Sequence, residues 1–152
     1  MSIQEFVVIP RCSIGPIQLG MSREDVRQIL GPPSSVQDAY EKWGIHFPNR
    51  DHFFRNAFQV SYDRKLRAEF IEVSAAEGYL VTLDGIHVHT SAPDVLVAAI
   101  QKLGDVDTTL REYPLNMWFP TLGLNLYREA SEHDPFATIG ICTAEFGQQS
   151  DS

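Results

Sequence analysis

His87 and His89 stand two residues apart in an otherwise apolar stretch, a spacing that turns both imidazoles to one side of a strand. Joined by His46, His52 or His133, such a pair would hold a transition metal. No third ligand is near in sequence, however, and an ordinary strand facing solvent gives the same pattern. Glu69 and Glu72 flank a hairpin, where charges alternating along a half-exposed strand need no catalytic explanation. The chain contains no Gly-x-Ser-x-Gly elbow, phosphate loop, His-Glu-x-x-His helix or dinucleotide glycine fingerprint. Cys12 and Cys142 lack the close pairing of a zinc knuckle or redox motif, and both are expected in or near the core. No catalytic residue, metal site or cofactor is therefore expected, and the chain does not read as an enzyme.

Binding chemistry is better represented. Trp43 and the segment Gly44 to Ala57 mix aromatics, two histidines and two arginines with turn formers and show no period. Trp, Phe and Arg dominate interface hot spots, which makes Trp43, His46, Phe47, Arg50 and Phe53 candidate partner-binding residues. The competing expectation is that Phe47, Phe53 and Phe54 plug one end of the core. Charge points the same way. Residues 1–76 carry nine acidic and nine basic side chains, whereas residues 77–152 carry eleven acidic and three basic ones, so the whole net charge of -8 sits in the second half. Such a one-sided negative field disfavours nucleic acid and anionic membranes as partners and accelerates encounter with a basic protein. Solubility alone would also account for it. Asp105, Asp107, Glu112, Glu132 and Asp134, in the connections of the second half, are the acidic candidates for pairing with a partner.

The most explicit structural signal runs from Gly15 to Pro33. Ser22 is the expected N-cap with Asp25 three residues on, Val26, Ile29 and Leu30 form an apolar stripe, Gly31 supplies the left-handed exit, and Pro32 and Pro33 stop the helix. Strands are expected at Phe6 to Ile9, Ile14 to Leu19 and Val36 to Trp43, followed by the irregular Gly44 to Ala57. A hairpin follows from Phe58 through a turn at Asp63-Arg64-Lys65 to Val73. Its inward-facing parity changes between Phe70 and Ile71, which calls for a bulge or for burial on both faces. Further strands are expected at Tyr79 to Leu83, Leu115 to Phe119, Leu122 to Leu126 and Phe136 to Cys142, with a polar, frayed tail from Gly147 to Ser152.

The opening pattern returns. Ile86-His87-Val88-His89 stands 69 residues after Ile17-Gln18-Leu19-Gly20, and Ser91 to Val95 repeats the cap of Ser22 to Val26 at the same offset. Leu96, Ala99, Ile100 and Leu103 make the second stripe, ended by Gly104. These features predict an α+β protein: an antiparallel sheet with helices packed on one face, in two tandem pseudo-repeats at about 6–76 and 79–144 within a single domain of 1–152. No apolar run approaches the roughly 20 residues that cross a bilayer, and the opening Met1 to Glu5 lacks a basic region before an apolar one, so a soluble, cytoplasmic protein is expected.

The Gly15 to Pro32 motif, Gly-x-Ile-x-Leu-Gly-Met-Ser-x-Glu-x-Val-x-x-x-Leu-Gly-x-Pro, resembles the helix opening of small bacterial domains in the β-lactamase-inhibitor-protein and outer-membrane-assembly-lipoprotein (SmpA-like) group. That resemblance implies helices laid on an antiparallel sheet. The sequence as it opens, Met1 to Glu5, shows no signal-peptide or lipobox pattern of the lipoproteins, so an envelope role is not expected, and the paired cysteines of the secreted inhibitor are not found within either unit. With Tyr62-Asp63, Glu69-Phe70-Ile71-Glu72 and Leu122 to Arg128, it is similar over most of its length to immunity proteins encoded beside polymorphic or contact-dependent bacterial toxins. The resemblance implies a non-catalytic protein that binds and neutralises a cognate toxin domain by occluding its active site or substrate surface; the acidic second half suits a basic toxin such as a nuclease. The alternatives are an interaction or scaffold module related to envelope-assembly domains, or a small enzyme or ligand carrier walled by residues 43–54.

Overall fold

The computed structural model describes residues 3–146; the expected frayed tail from Gly147 lies outside the described residues. The chain opens with β1 (Gln4–Ile9) and folds back through β2 (Ser13–Ile14) and β3 (Ile17–Gln18), a hairpin closed around Gly15 at φ +58°. A side chain is excluded there by position as well as conformation, since a Cβ on Gly15 would fall 2.7 Å from the Phe6 ring. Helix α1 (Arg23–Leu30) follows, then β4 (Ser35–Gln37), β5 (Tyr40–Lys42), β6 (Ile45–Phe47), β7 (Arg50–Phe53), β8 (Phe58–Tyr62) and β9 (Ala68–Ser74). The second half runs β10 (Tyr79–Leu83), β11 (Ile86–His87), α2 (Pro93–Gln101), β12 (Asn116–Phe119), a single 3₁₀ turn at Pro120–Leu122, β13 (Leu124–Tyr127) and β14 (Thr138–Cys142).

These elements make an α+β protein. Seven strands form the main sheet in the order β12-β13-β14-β9-β8-β7-β4, with every neighbouring pair antiparallel. A smaller sheet has the order β11-β10-β1-β2-β3, and in it β1 and β10 run parallel, a departure from the all-antiparallel expectation. The register of the main sheet sorts its side chains. Phe53, Phe58, Val73, Ile139, Leu126 and Met117 face inward, as do Val60, Ile71, Ile141, Leu124 and Phe119. They form one continuous core with Phe6, Val8, Val81 and Leu83 of the small sheet and with Val26, Leu96 and Ile100 of the helices. The parity change in β9 is a bulge: Ser61 pairs with Phe70 but Tyr62 with Ala68, leaving Glu69 as the extra residue.

Several expectations need correction. Val36 to Trp43 is two strands, and the segment expected to be irregular supplies β6 and β7, because the turn residues Trp43-Gly44 and Pro48-Asn49 divide the run into pieces too short to show a period. Ser22 caps α1 as expected, its Oγ accepting from the Asp25 N–H at 3.2 Å. The second cap does not repeat it. α2 begins at Pro93 after Ala92 with no side-chain cap, and Ser91 instead donates its N–H to the His87 carbonyl. Proline at the first helical position needs one donor fewer satisfied. Gly104 is not a left-handed exit either; it is small because a Cβ would collide with Thr121 Oγ1. Of the predicted stripes, Ile29 and Leu103 are exposed, while Val26, Leu96 and Ile100 reach the core.

Candidate functional site

The residues from Tyr40 to Phe47 fold into a two-stranded arm separate from both sheets. Trp43 and Gly44 form its two-residue turn, both at positive φ (54° and 74°), the combination that matches the twist of a hairpin. Cross-strand pairs hold it: the Tyr40 and Phe47 rings stack at 4.6 Å between centroids, and the His46 Nδ1 and Glu41 Oε1 atoms lie 2.7 Å apart. At the base, Asn49 Oδ1 accepts from the Ala39 N–H and Gln37 Nε2 donates to the Pro48 carbonyl. Trp43 stands at the tip, 81% exposed, touched by Lys42 Nζ 4.4 Å from its ring centre. Tyr40 and Ile45 are exposed beside it. A positive φ is unusual for a residue as bulky as Trp, and here the side chain is held outward with little covering it.

Of the first group of candidates, Trp43, His46 and Phe47 lie on this arm, and His46 is close enough to Glu69 for their charges to interact. Arg50 lies on the outer face of the main sheet, donating from Nε to Ser61 Oγ at 2.9 Å and from Nη1 to Gln59 Oε1 at 3.3 Å. Phe53 is a correction. The strand alternation places it inward, 2% exposed, so its ring belongs to the core and cannot meet a partner.

The acidic candidates gather at the opposite edge, on the connections around β12. Asp105 and Glu112 are exposed, the latter accepting from Asn116 Nδ2 at 3.3 Å. Asp107 Oδ1 accepts from the Thr109 N–H and Oγ1, which holds its carboxyl below the usual range. Asp134 closes a turn by accepting from the Ser131 N–H, and Glu132 is exposed on the same turn with its carbonyl accepting from Arg128 Nη1 at 2.7 Å. β7 and β12 are five places apart in the sheet order, about 24 Å at the usual strand spacing. The aromatic and acidic candidates are thus not one patch: the arm is inserted between β4 and β7, and the acidic residues lie on the connections around β12 and β13.

The outer face of the main sheet is neither bare nor apolar. Across it the register lines up His52, Gln59, Glu72, Gly140, Asn125 and Trp118. His52 Nδ1 lies 2.8 Å from Ser35 Oγ, and burial together with Arg50 holds its pKa below the ordinary histidine value. At the β12 side an open depression of about 370 Å³ is walled by Phe70, Phe146, Trp118 and Leu110, with Glu72 and Asn125 among its polar groups.

Sequence reading missed the most heavily bonded group, Asp51. Its carboxylate is fully buried and accepts from Arg23, Arg27 and the Tyr62 hydroxyl, the arginines each binding through two nitrogens. Burial pushes its pKa up, but the hydrogen bonds from Arg27, Arg23 and Tyr62 outweigh it and hold the group at about 2. The available signal was the Arg23 and Arg27 pair, four apart on one helix face. This cluster is fully self-satisfied and reads as a clamp between α1 and β7.

No metal arrangement emerges: His87 is exposed, His89 Nδ1 bonds the Phe136 carbonyl, and among the described residues no group of three or more His, Cys, Asp or Glu could hold an ion. Cys12 is exposed rather than in the core, because it sits in the turn between β1 and β2; Cys142 is buried, and no disulfide joins the two. No described helix is long and apolar enough to cross a membrane. The fold and surface define an α+β protein with a seven-stranded sheet and a projecting aromatic arm. No family model, curated protein or solved structure matches the chain.

Proposed function

We propose that this chain is a bacterial immunity protein: a non-catalytic binder that acts in the cytoplasm and neutralises a cognate toxin domain by covering its active site or substrate surface. The observation that carries this reading is the arm, whose Trp43 is 81% exposed at a turn where a small residue would be less strained. A large aromatic kept in water at a conformational cost is accounted for when a partner buries it. The arm leaves the main sheet between β4 and β7 and the acidic connections adjoin β12 and β13, so a toxin domain spanning the sheet would meet an aromatic anchor on one side and carboxylates on the other. The negative second half favours a basic toxin such as a nuclease. The similar order of hairpin, helix and meandering strands in residues 6–76 and 79–144 fits a duplicated unit of the kind that the sequence resemblance implies.

A second reading, an interaction or scaffold module, draws on the small sheet, where Val7, Ile9 and Leu80 are 42%, 50% and 43% exposed. Co-expression with the toxin domain encoded beside the gene separates the two. The immunity reading expects a stable complex and protection of the cell, both lost in Trp43→Ala with the fold retained. Absence of binding or protection against any adjacent toxin domain would sink it.

A further inference from the structure

The arm is a two-stranded sheet with no third strand: among the described residues β5 and β6 pair with each other and with no other strand. A ribbon with both edges open is a template for further pairing, and two strands alone are only marginally stable in water. The turn decides which backbone groups are on offer. With two residues, Trp43 and Gly44, in the turn, Lys42 and Ile45 are the hydrogen-bonded closing pair, so Glu41 and His46, next along, are a non-hydrogen-bonded pair. Their N–H and C=O groups point away from the hairpin, one set on each edge. Neither set has a backbone partner among the described residues, and both residues are exposed.

The two edges are not equivalent. Two-fold pairing of β5 with its own copy, centred on Glu41, sets two carboxylates directly opposite each other and Tyr40 opposite Lys42. Two-fold pairing of β6, centred on His46, exchanges both N–H···O bonds of that residue between copies and sets Ile45 of each copy opposite Phe47 of the other. An imidazole can meet its copy uncharged, whereas a carboxylate at neutral pH cannot. The register inside the arm extends these pairs into rows across four strands. One face reads Tyr40, Phe47, Ile45, Lys42 in either direction, apolar at its centre. The other reads Glu41, His46, His46, Glu41, each imidazole 2.7 Å from the carboxylate of its own strand partner. Pro48, which has no N–H, ends the ladder at the base of the arm.

We propose that the outer edge of β6 is a contact between two copies of this chain, which join arm to arm about a two-fold axis between their His46 residues as one antiparallel sheet, β5-β6-β6-β5. The tip of each arm runs toward the base of the other. The pairing shelters the exposed Ile45 and brings Trp43 alongside the opposite arm. Three residues a side make a contact well below the roughly 800 Å² per partner of a standard interface, so the dimer is reversible. This contact is independent of the toxin reading; a toxin domain that takes the arm displaces the second copy.

Sedimentation velocity of the full chain at neutral pH, from about 10 to about 500 µM, should show the mean mass rising toward twice the monomer value. Ile45→Lys should weaken the association at least about tenfold, with circular dichroism confirming that the fold persists. Cross-linking checks the register in a Cys12→Ser background, since Cys12 is exposed. His46→Cys should give a disulfide-linked dimer on mild oxidation, because opposed Cα atoms in such a pair lie about 5.5 Å apart. Glu41→Cys should not, because three strand spacings, about 14 Å, separate it from its copy. A monomer at every concentration, a dimer that Ile45→Lys leaves intact, or cross-linking through Glu41→Cys as fast as through His46→Cys overturns the contact. If the copies stay apart while Trp43→Ala still abolishes toxin protection, the immunity reading stands without the dimer. If the dimer forms and no toxin domain binds, the contact stands and the immunity reading falls.

Discussion

Arg27 and Asp51 are joined by a two-pronged ion pair, Nη2 to Oδ1 at 2.8 Å and Nε to Oδ2 at 2.9 Å, that bolts the middle of α1 to the inner face of β7. Arg23 grips the same carboxylate one turn earlier, at 2.8 and 3.2 Å. The helix has one fully buried apolar residue, Val26, so polar fixation stands in for the wide apolar stripe that usually docks a helix. Asp51→Asn would leave two guanidinium groups facing a neutral amide, and a loss of about 3 to 5 kcal/mol is expected in chemical denaturation. Arg27→Ala should cost less, about 1 kcal/mol, because its side chain is 38% exposed and screened by water.

Acid should find the same cluster. Asp51 has a folded-state pKa of about 2 against an ordinary 3.8, so the unfolded chain takes up its proton first on acidification. A depressed carboxylate contributes stability that is fully present above about pH 4 and is lost as pH falls toward 2; its size is about 2 kcal/mol. Denaturant midpoints measured from pH 5 to pH 2 should fall more steeply in the parent than in Asp51→Asn. Parallel curves would show that Asp51 is not the group responsible.

Trp43→Asn should separate stability from binding. Asparagine followed by Gly44 is the preferred pair for a turn with two positive φ values, so thermal stability should be unchanged or higher by up to about 1 kcal/mol. Partner affinity should fall by about 2 kcal/mol or more, roughly thirtyfold. A stability loss above about 1 kcal/mol would instead make Trp43 a structural residue.

Glu72→Gln should stabilise the isolated protein at neutral pH. Burial raises the Glu72 pKa, so at pH 7 the folded state carries a charge it holds less comfortably than the unfolded chain does. The penalty is absent below the unfolded pKa and grows as pH rises through the folded one. A gain of under about 1 kcal/mol at pH 7 that vanishes near pH 4 is expected from urea titrations at the two pH values.

Phe53→Ala tests the corrected assignment. With 2% exposure and its strand partner Phe58 in the core, it should cost about 3 to 5 kcal/mol. The matching change at Trp43, ten residues earlier, should cost almost nothing.

Much of this architecture was legible in the residues. Ser22, Gly31 and the double proline bound α1 because capping and proline geometry act within a few residues, and the alternation of Phe58, Val60 and Tyr62 marks β8 because a half-buried strand has a period of two. The exposed tip at Trp43 and the outward Arg50 were also among the expected binding residues. Phe53 was misassigned because an aromatic in a short strand carries no sign of which face is inward until its partner strand sets the register.

What the sequence determined by itself is local: helix ends, strand alternation, the α+β class and the division of charge between halves, all of which follow from neighbours along the chain. The tertiary structure alone decided that Asp51 is buried between Arg23 and Arg27, that aromatic and acidic candidates lie at opposite edges of one sheet, and that Trp118 and Glu72 share a depression. Each depends on strand order and register, which are set by the fit of distant segments into one core.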